Sequence, residues 1–201
     1  MMPDARVHIA EINLPQLYAP VFRSLEESAQ FCDAVKGLPP SKNDAKVILH
    51  QGGRMVWLGD RIDEVARGRP AFQILFYIIA AELVAKIAKR FKGKGQSEKY
   101  VQKFFSDICS DEHRQRLSTA FRQTGNGAYL SLETAVKLLY AVRCDVVHRG
   151  QYYKFSLARQ EFRGMLTSLR EWAPIAEITL PELRQIILEG TVLGTKLVAG
   201  I

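Results

Sequence analysis

Apolar positions in this chain recur at helical spacing in several long stretches and nowhere alternate convincingly with period two over successive strands. Over 14–35, Leu17, Val21, Leu25 and Phe31 share one side, and Pro15 falls in a first turn that tolerates it, which predicts a first helix. Gly37-Leu38-Pro39-Pro40 ends it. Over 70–91, Phe72, Leu75, Phe76, Ile79, Leu83 and Ile87 repeat behind Pro70 at a first helical position, predicting a second strong helix. The stretch 131–150 is read as the centre of the fold. Residues 135–142 are apolar nearly all round, broken only by Lys137, with Ser131 as N-cap and Gly150 as a C-terminal stop. Beyond it, Leu157, Phe162, Leu166, Leu169 and Trp172 give 156–173 an apolar face, with Arg159, Arg163 and Arg170 aligned on the other. A final helix covers about 179–199.

The intervening segments are shorter. A short helix over 41–51, capped by Ser41 or Asn43, is expected to break at Gly52-Gly53. Residues 54–65 begin as strand or helix, and Arg67-Gly68-Arg69-Pro70 marks a boundary. Two more helices are expected over 100–111 and 113–123, the second closed by Thr124-Gly125-Asn126-Gly127. With no internal repeats, the pattern predicts a single all-α domain over 1–201, an up-and-down helical bundle.

Composition changes this picture little. At 201 residues and 47% hydrophobic, the chain can bury one sizeable core. Cys32, Cys109 and Cys144 are odd in number and widely spaced, which suits a reducing compartment rather than a disulfide framework. The first 15 residues carry charge and lack the apolar run of a signal peptide, and the apolar run 74–81 is short for a membrane span, so the expected location is the cytoplasm, with no membrane partner. A net charge of +7 and a pI near 9.4 favour an anionic partner, nucleic acid first, although a basic balance also serves solubility. The Lys- and Arg-rich segment 86–103, with its Gly93-Lys94-Gly95, is either a phosphate cradle or a solvated loop.

Candidate chemistry is concentrated where the apolar character of 131–150 ends. Within one further turn the chain presents Arg143, Cys144, Asp145, His148 and Arg149 before Gly150. Burying such groups costs free energy unless they are paired or used. The order Arg-Cys-Asp-Val-Val-His-Arg-Gly resembles the signature of the HEPN superfamily: an Arg, four to six residues later a His, then a basic residue and Gly. The resemblance covers helix order over about 70–173, leaving 1–68 and the helix at 179–199 as accessory segments. It implies a metal-independent endoribonuclease, working as a homodimer with a composite site, and a role as a toxin or antiphage-defence effector with an antitoxin protein as possible partner. No cofactor is implied. Cys144 stands where many members carry Asn, and some relatives bind RNA or nucleotide without cutting it. The alternative is therefore a non-catalytic dimeric module that binds RNA, nucleotide or protein.

Residue types give each position a role. A histidine titrates close to neutral pH and can take or give a proton, so His148 is the candidate acid and base. An arginine fork binds phosphate and steadies charge developing on its oxygens, the role of Arg143. In an unbroken helix the two lie about 140° apart and share no face, so they meet either across a two-fold axis or through unwinding near Val146. Asp145 can orient His148 or Arg149. Arg149 and Lys154 are candidate phosphate contacts, and Tyr152 and Tyr153 candidate base-stacking or packing residues. Glu82 interrupts the second helix. It reads first as a solvated partner of Lys86, and in the alternative as a buried carboxylate positioning Arg143 or Arg149. Finally, Cys109/His113 and Cys144/His148 each have i, i+4 spacing, a weak Cys₂His₂ zinc pattern without the usual short Cys-to-Cys spacing.

Overall fold

A computed structural model describes residues 12–91, 95–123, 125–150 and 174–201. Tyr152, Tyr153, Lys154 and the helix expected over 156–173 lie outside the described residues. The described chain is all-α apart from one small sheet. Helices α1 (Leu14–Tyr18), α2 (Leu25–Lys36), α3 (Asn43–Val47), α4 (Gly53–Val65), α5 (Pro70–Ala88), α6 (Ser97–Lys103), α7 (Asp111–Ser118), α8 (Leu132–Arg149) and α9 (Leu180–Ala199) follow in order.

The first expected helix is two. Pro20 follows α1 within a 3-10 turn, Ala19–Val21, and α2 starts afresh with Ser24 accepting from the Glu27 N–H. At Gly52-Gly53 the expected break does not occur. A π turn, Ile48–Gly52, joins α3 to α4 with both glycines in ordinary right-handed helical conformation. Their role is close packing: a Cβ on Gly52 would lie 2.7 Å from Thr191 Cγ2, and one on Gly53 2.9 Å from the Tyr18 hydroxyl. Capping at Ser41 or Asn43 is absent too, since the residue ahead of α3 is Lys42 and makes no side-chain cap. Residues 113–123 are helical only as far as Ser118. Strand β1, Phe121–Gln123, then pairs antiparallel with β2, Pro174–Ala176, Phe121 opposite Ala176. Three-residue strands carry too few positions for a period-two signal.

The centre of the fold is α5 rather than α8. It packs on α4, α9, α8 and α6; its buried positions, including Ala71, Ile74, Tyr77, Ile78, Ala81, Val84 and Ala85, fill one half of its circumference, and the other half is half-buried apart from exposed Lys86. It is the one described helix long and apolar enough to cross a membrane by length and composition. Packing on several sides accounts for that apolarity. Helices from both of the segments expected to be accessory contact α5. Helix α4 packs along α5, and α9 lies against α5 with Leu183, Ile186, Ile187, Leu188 and Val192 buried. The α9 seam is made of small residues, Gly190, Thr191, Gly194 and Thr195. The two threonine hydroxyls donate to the carbonyls of Ile187 (2.7 Å) and Thr191 (2.8 Å), so they are buried without loss of hydrogen bonding.

The start of α9 is a full capping box. Thr179 Oγ1 accepts from the Glu182 N–H, and the Glu182 carboxylate accepts from the Thr179 N–H at 2.7 Å. Burial pushes the Glu182 carboxyl upward, but bonds from the Thr179 N–H and hydroxyl, and then Arg116, outweigh it and hold it below the ordinary glutamate range. A carboxyl depressed by folding adds stability above its unfolded value that is lost as pH falls through its folded one. Acidification below the ordinary glutamate range is therefore expected to loosen this end of α9, and Glu182→Gln to flatten that part of the Tm-versus-pH curve.

Candidate functional site

Helix α8 carries the candidate residues on a single unbroken run that begins and ends as its sequence dictates. Ser131 accepts from the Thr134 N–H at 3.2 Å, and Gly150 terminates the helix at φ +61°, a left-handed conformation that glycine adopts without steric cost. Continuity through Val146 means that unwinding does not bring Arg143 and His148 together within one chain. They stay about 140° apart around the axis.

Arg143 faces α5. Its side chain is only 18% exposed, and its guanidinium lies 3.7 Å from the Glu82 carboxylate, itself 21% exposed. Glu82 is thus the positioning carboxylate rather than the solvated partner of Lys86. Its other oxygen accepts from the Ser97 hydroxyl at 2.6 Å, which ties the first residue of α6 into the same cluster. The Arg143–Glu82 separation is too long for a direct hydrogen bond, and Arg143 Nε is buried with no hydrogen-bond partner among the described residues. Glu82 therefore supplies charge and position without a hydrogen bond to the guanidinium. On its other side Arg143 stands 5.6 Å from the Tyr140 ring centroid, a cation–π contact. The Tyr140 phenol is pushed above its ordinary range, chiefly by burial and then by its hydrogen bond with the Cys144 thiol.

Asp145 and Arg149 form a second unit. Asp145 is buried, and its carboxylate accepts from Arg149 Nη1 at 2.9 Å across one helical turn. Of the two groups it could orient, it holds Arg149. His148 is exposed and has no hydrogen-bond partner among the described residues. The helix end thus combines a half-buried arginine fixed by a carboxylate on α5, an exposed imidazole, and a second arginine tethered by a buried aspartate.

The remaining candidates are dispersed. His113, at the start of α7, puts Nε2 3.0 Å from the Glu189 carboxylate on α9, beside a cleft of about 540 Å³ that Arg116, Gln185, Glu182 and Ile186 also line. Burial pushes the Cys109 thiol far up, so it stays protonated at neutral pH. Cys109 and His113 do not meet Cys144 and His148, and among the described residues no three His, Cys, Asp or Glu side chains are grouped to hold a metal ion. In the basic segment, Lys89 and Lys103 both converge on Asp107, at 3.6 and 3.4 Å. Of its Gly93-Lys94-Gly95 loop only Gly95 lies within the described residues, and no cradle is described. Ser97 and Tyr140 are members of the Arg143 cluster that sequence reasoning missed; only the i, i+3 spacing of Tyr140 to Arg143 offered a signal. Comparison with protein-family models, curated proteins and solved structures finds no match.

Proposed function

We propose that the chain is a metal-independent endoribonuclease of HEPN type in the cytoplasm, with Arg143 and His148 as its working pair. The observation that carries this reading is the setting of Arg143: held beside the Glu82 carboxylate on α5 without a hydrogen bond to it, about one and a half turns from an exposed imidazole at the same helix end. Because the pair cannot converge within one unbroken helix, the site is composite. Two copies of the α8 end meet about a two-fold axis and contribute two arginines and two histidines. One histidine takes the proton of a ribose 2′-hydroxyl as its oxygen attacks the adjacent phosphorus, and the other gives a proton to the departing 5′-oxygen. The arginines carry the charge gathered on the phosphoryl oxygens. The products are a 2′,3′-cyclic phosphate and a 5′-hydroxyl. A toxin or defence effector restrained by an antitoxin protein is the role this activity suits.

One observation favours a second reading, a non-catalytic HEPN-like module that binds RNA, nucleotide or protein. The Glu82 carboxylate beside Arg143 offsets the charge that a reacting phosphate would meet there, which leaves RNA, nucleotide or protein to be held elsewhere on the module. End-group analysis separates the two. Purified protein incubated with a tRNA pool in EDTA is expected to leave cyclic-phosphate and 5′-hydroxyl ends; RNA that is bound but intact would support the binding module instead.

A further inference from the structure

The helix that runs on through Gly52 and Gly53 builds a surface that a break there would have prevented. On the regular turns of α4, Arg54, Trp57 and Arg61 are three and four residues apart, within about 60° of arc and over about 10 Å of helix. Arg54 and Arg61 are exposed, and Trp57 is half-buried with the Arg61 guanidinium 5.7 Å from its ring centroid. His50, exposed in the preceding π turn, lies in the field of Arg54 and of Lys36 from the last turn of α2. Partial burial, and after it those two cations, holds its imidazole below the ordinary histidine range. Arg54 and His50 have no carboxylate partner among the described residues. Arg61 pairs with Glu64 and Lys36 with Asp33, but both pairs are exposed and therefore weak competitors for a phosphate. On α4, Arg54 and Arg61 thus flank one half-buried indole that also packs against the core.

We propose that this face is a docking surface for single-stranded RNA, with Arg54 and Arg61 against phosphates and Trp57 stacked on a base. It rests on the ribonuclease reading only for the choice of RNA. To that reading it adds a hold on the substrate on α4, a different helix from the one carrying Arg143 and His148. Charge complementarity gives the polyanion, and the aromatic among the cations distinguishes a nucleic acid from an acidic protein, which needs no stacking platform. A lipid surface would be met by protruding apolar side chains, whereas Trp57 is half-buried and flanked by charge. Stacking and phosphate contacts tolerate any base, so little sequence preference is expected.

The test uses the full chain carrying His148→Ala, so that RNA survives, and an oligouridylate of about 12 nucleotides, within the site sizes of such surfaces. Adding Arg54→Ala and Arg61→Ala is expected to weaken binding about tenfold or more and to reduce the slope of log K against log salt by about 1.4, two phosphate contacts on a single strand. Trp57→Leu is expected to weaken binding as well, with Trp57→Phe restoring part of it. Unchanged affinity and slope in the double-arginine variant would overturn the proposal. So would a loss confined to phosphatidylserine vesicles, which would assign the face to membrane. If the otherwise unaltered protein cuts no RNA yet the arginine variants lose binding, the ribonuclease reading fails and this surface stands. If it cuts RNA and the double-arginine variant binds like its parent, this surface fails alone.

Discussion

Gly190→Ala is expected to destabilise the protein by about 1–3 kcal/mol, read as a fall in Tm of roughly 3–10 °C with the fold retained. A Cβ at this position would stand 2.3 Å from Phe104 Cζ and 3.0 Å from both adjacent ring carbons. Phe104 cannot easily turn aside. It is fully buried, and its ring meets Phe105 edge-to-face at 5.1 Å between centroids. Alanine does gain up to about 1 kcal/mol over glycine in helix propensity, which offsets only part of the cost of displacing a buried ring. Gly194 makes a matched comparison on the same seam, where the added Cβ would meet Val84 Cγ1 at 2.5 Å. Thermal unfolding of both variants decides the point. A Tm unchanged or raised in both would mean that α9 is not seated against α5 and the Phe104 ring.

His148→Ala is expected to slow RNA cleavage by about 10²- to 10⁴-fold, the usual range for a lost acid or base, while leaving Tm unchanged because the side chain is exposed. Arg143→Ala is expected to lose cleavage to a similar or greater degree, and to destabilise as well. Removing the guanidinium takes the neighbouring cation from a half-buried Glu82 carboxylate, a penalty of about 1–3 kcal/mol. The pair of outcomes separates a catalytic role from a structural one. Cleavage lost without loss of stability points to chemistry at His148, and equal cleavage in parent and His148→Ala would remove it from the reaction.

Much of this architecture is written locally and could be read locally. Ser131 and Gly150 bound α8, Pro70 opens α5, and Thr179 with Glu182 caps α9, each through chemistry within a few residues. Where the reading failed, the deciding contact was distant in sequence. Gly52-Gly53 has the composition of a break, and only Thr191 and Tyr18, packed against those glycines, show why a continuous helix needs them. Helices α5 and α8 are both apolar nearly all round, so pattern alone could not say which one the others surround. At the candidate site, the Asp145–Arg149 pair followed from i, i+4 spacing, whereas the choice of Arg143 over Lys86 as the Glu82 partner required α5 and α8 to be laid side by side. Pro20 was legible and missed: its imide cannot continue a hydrogen-bonded helix, so α1 ends in a 3-10 turn beside it.

The central claim is that Arg143 and His148, held apart by one rigid helix, act together only when two α8 ends meet. Its most direct test is specific cleavage activity in EDTA as a function of protein concentration, with sedimentation velocity on the same samples. Activity per protomer is predicted to rise with concentration in step with the fraction of dimer and then to level off. Activity per protomer that is constant for a sedimenting monomer, or an absence of cleavage at concentrations where the dimer is complete, would contradict the account.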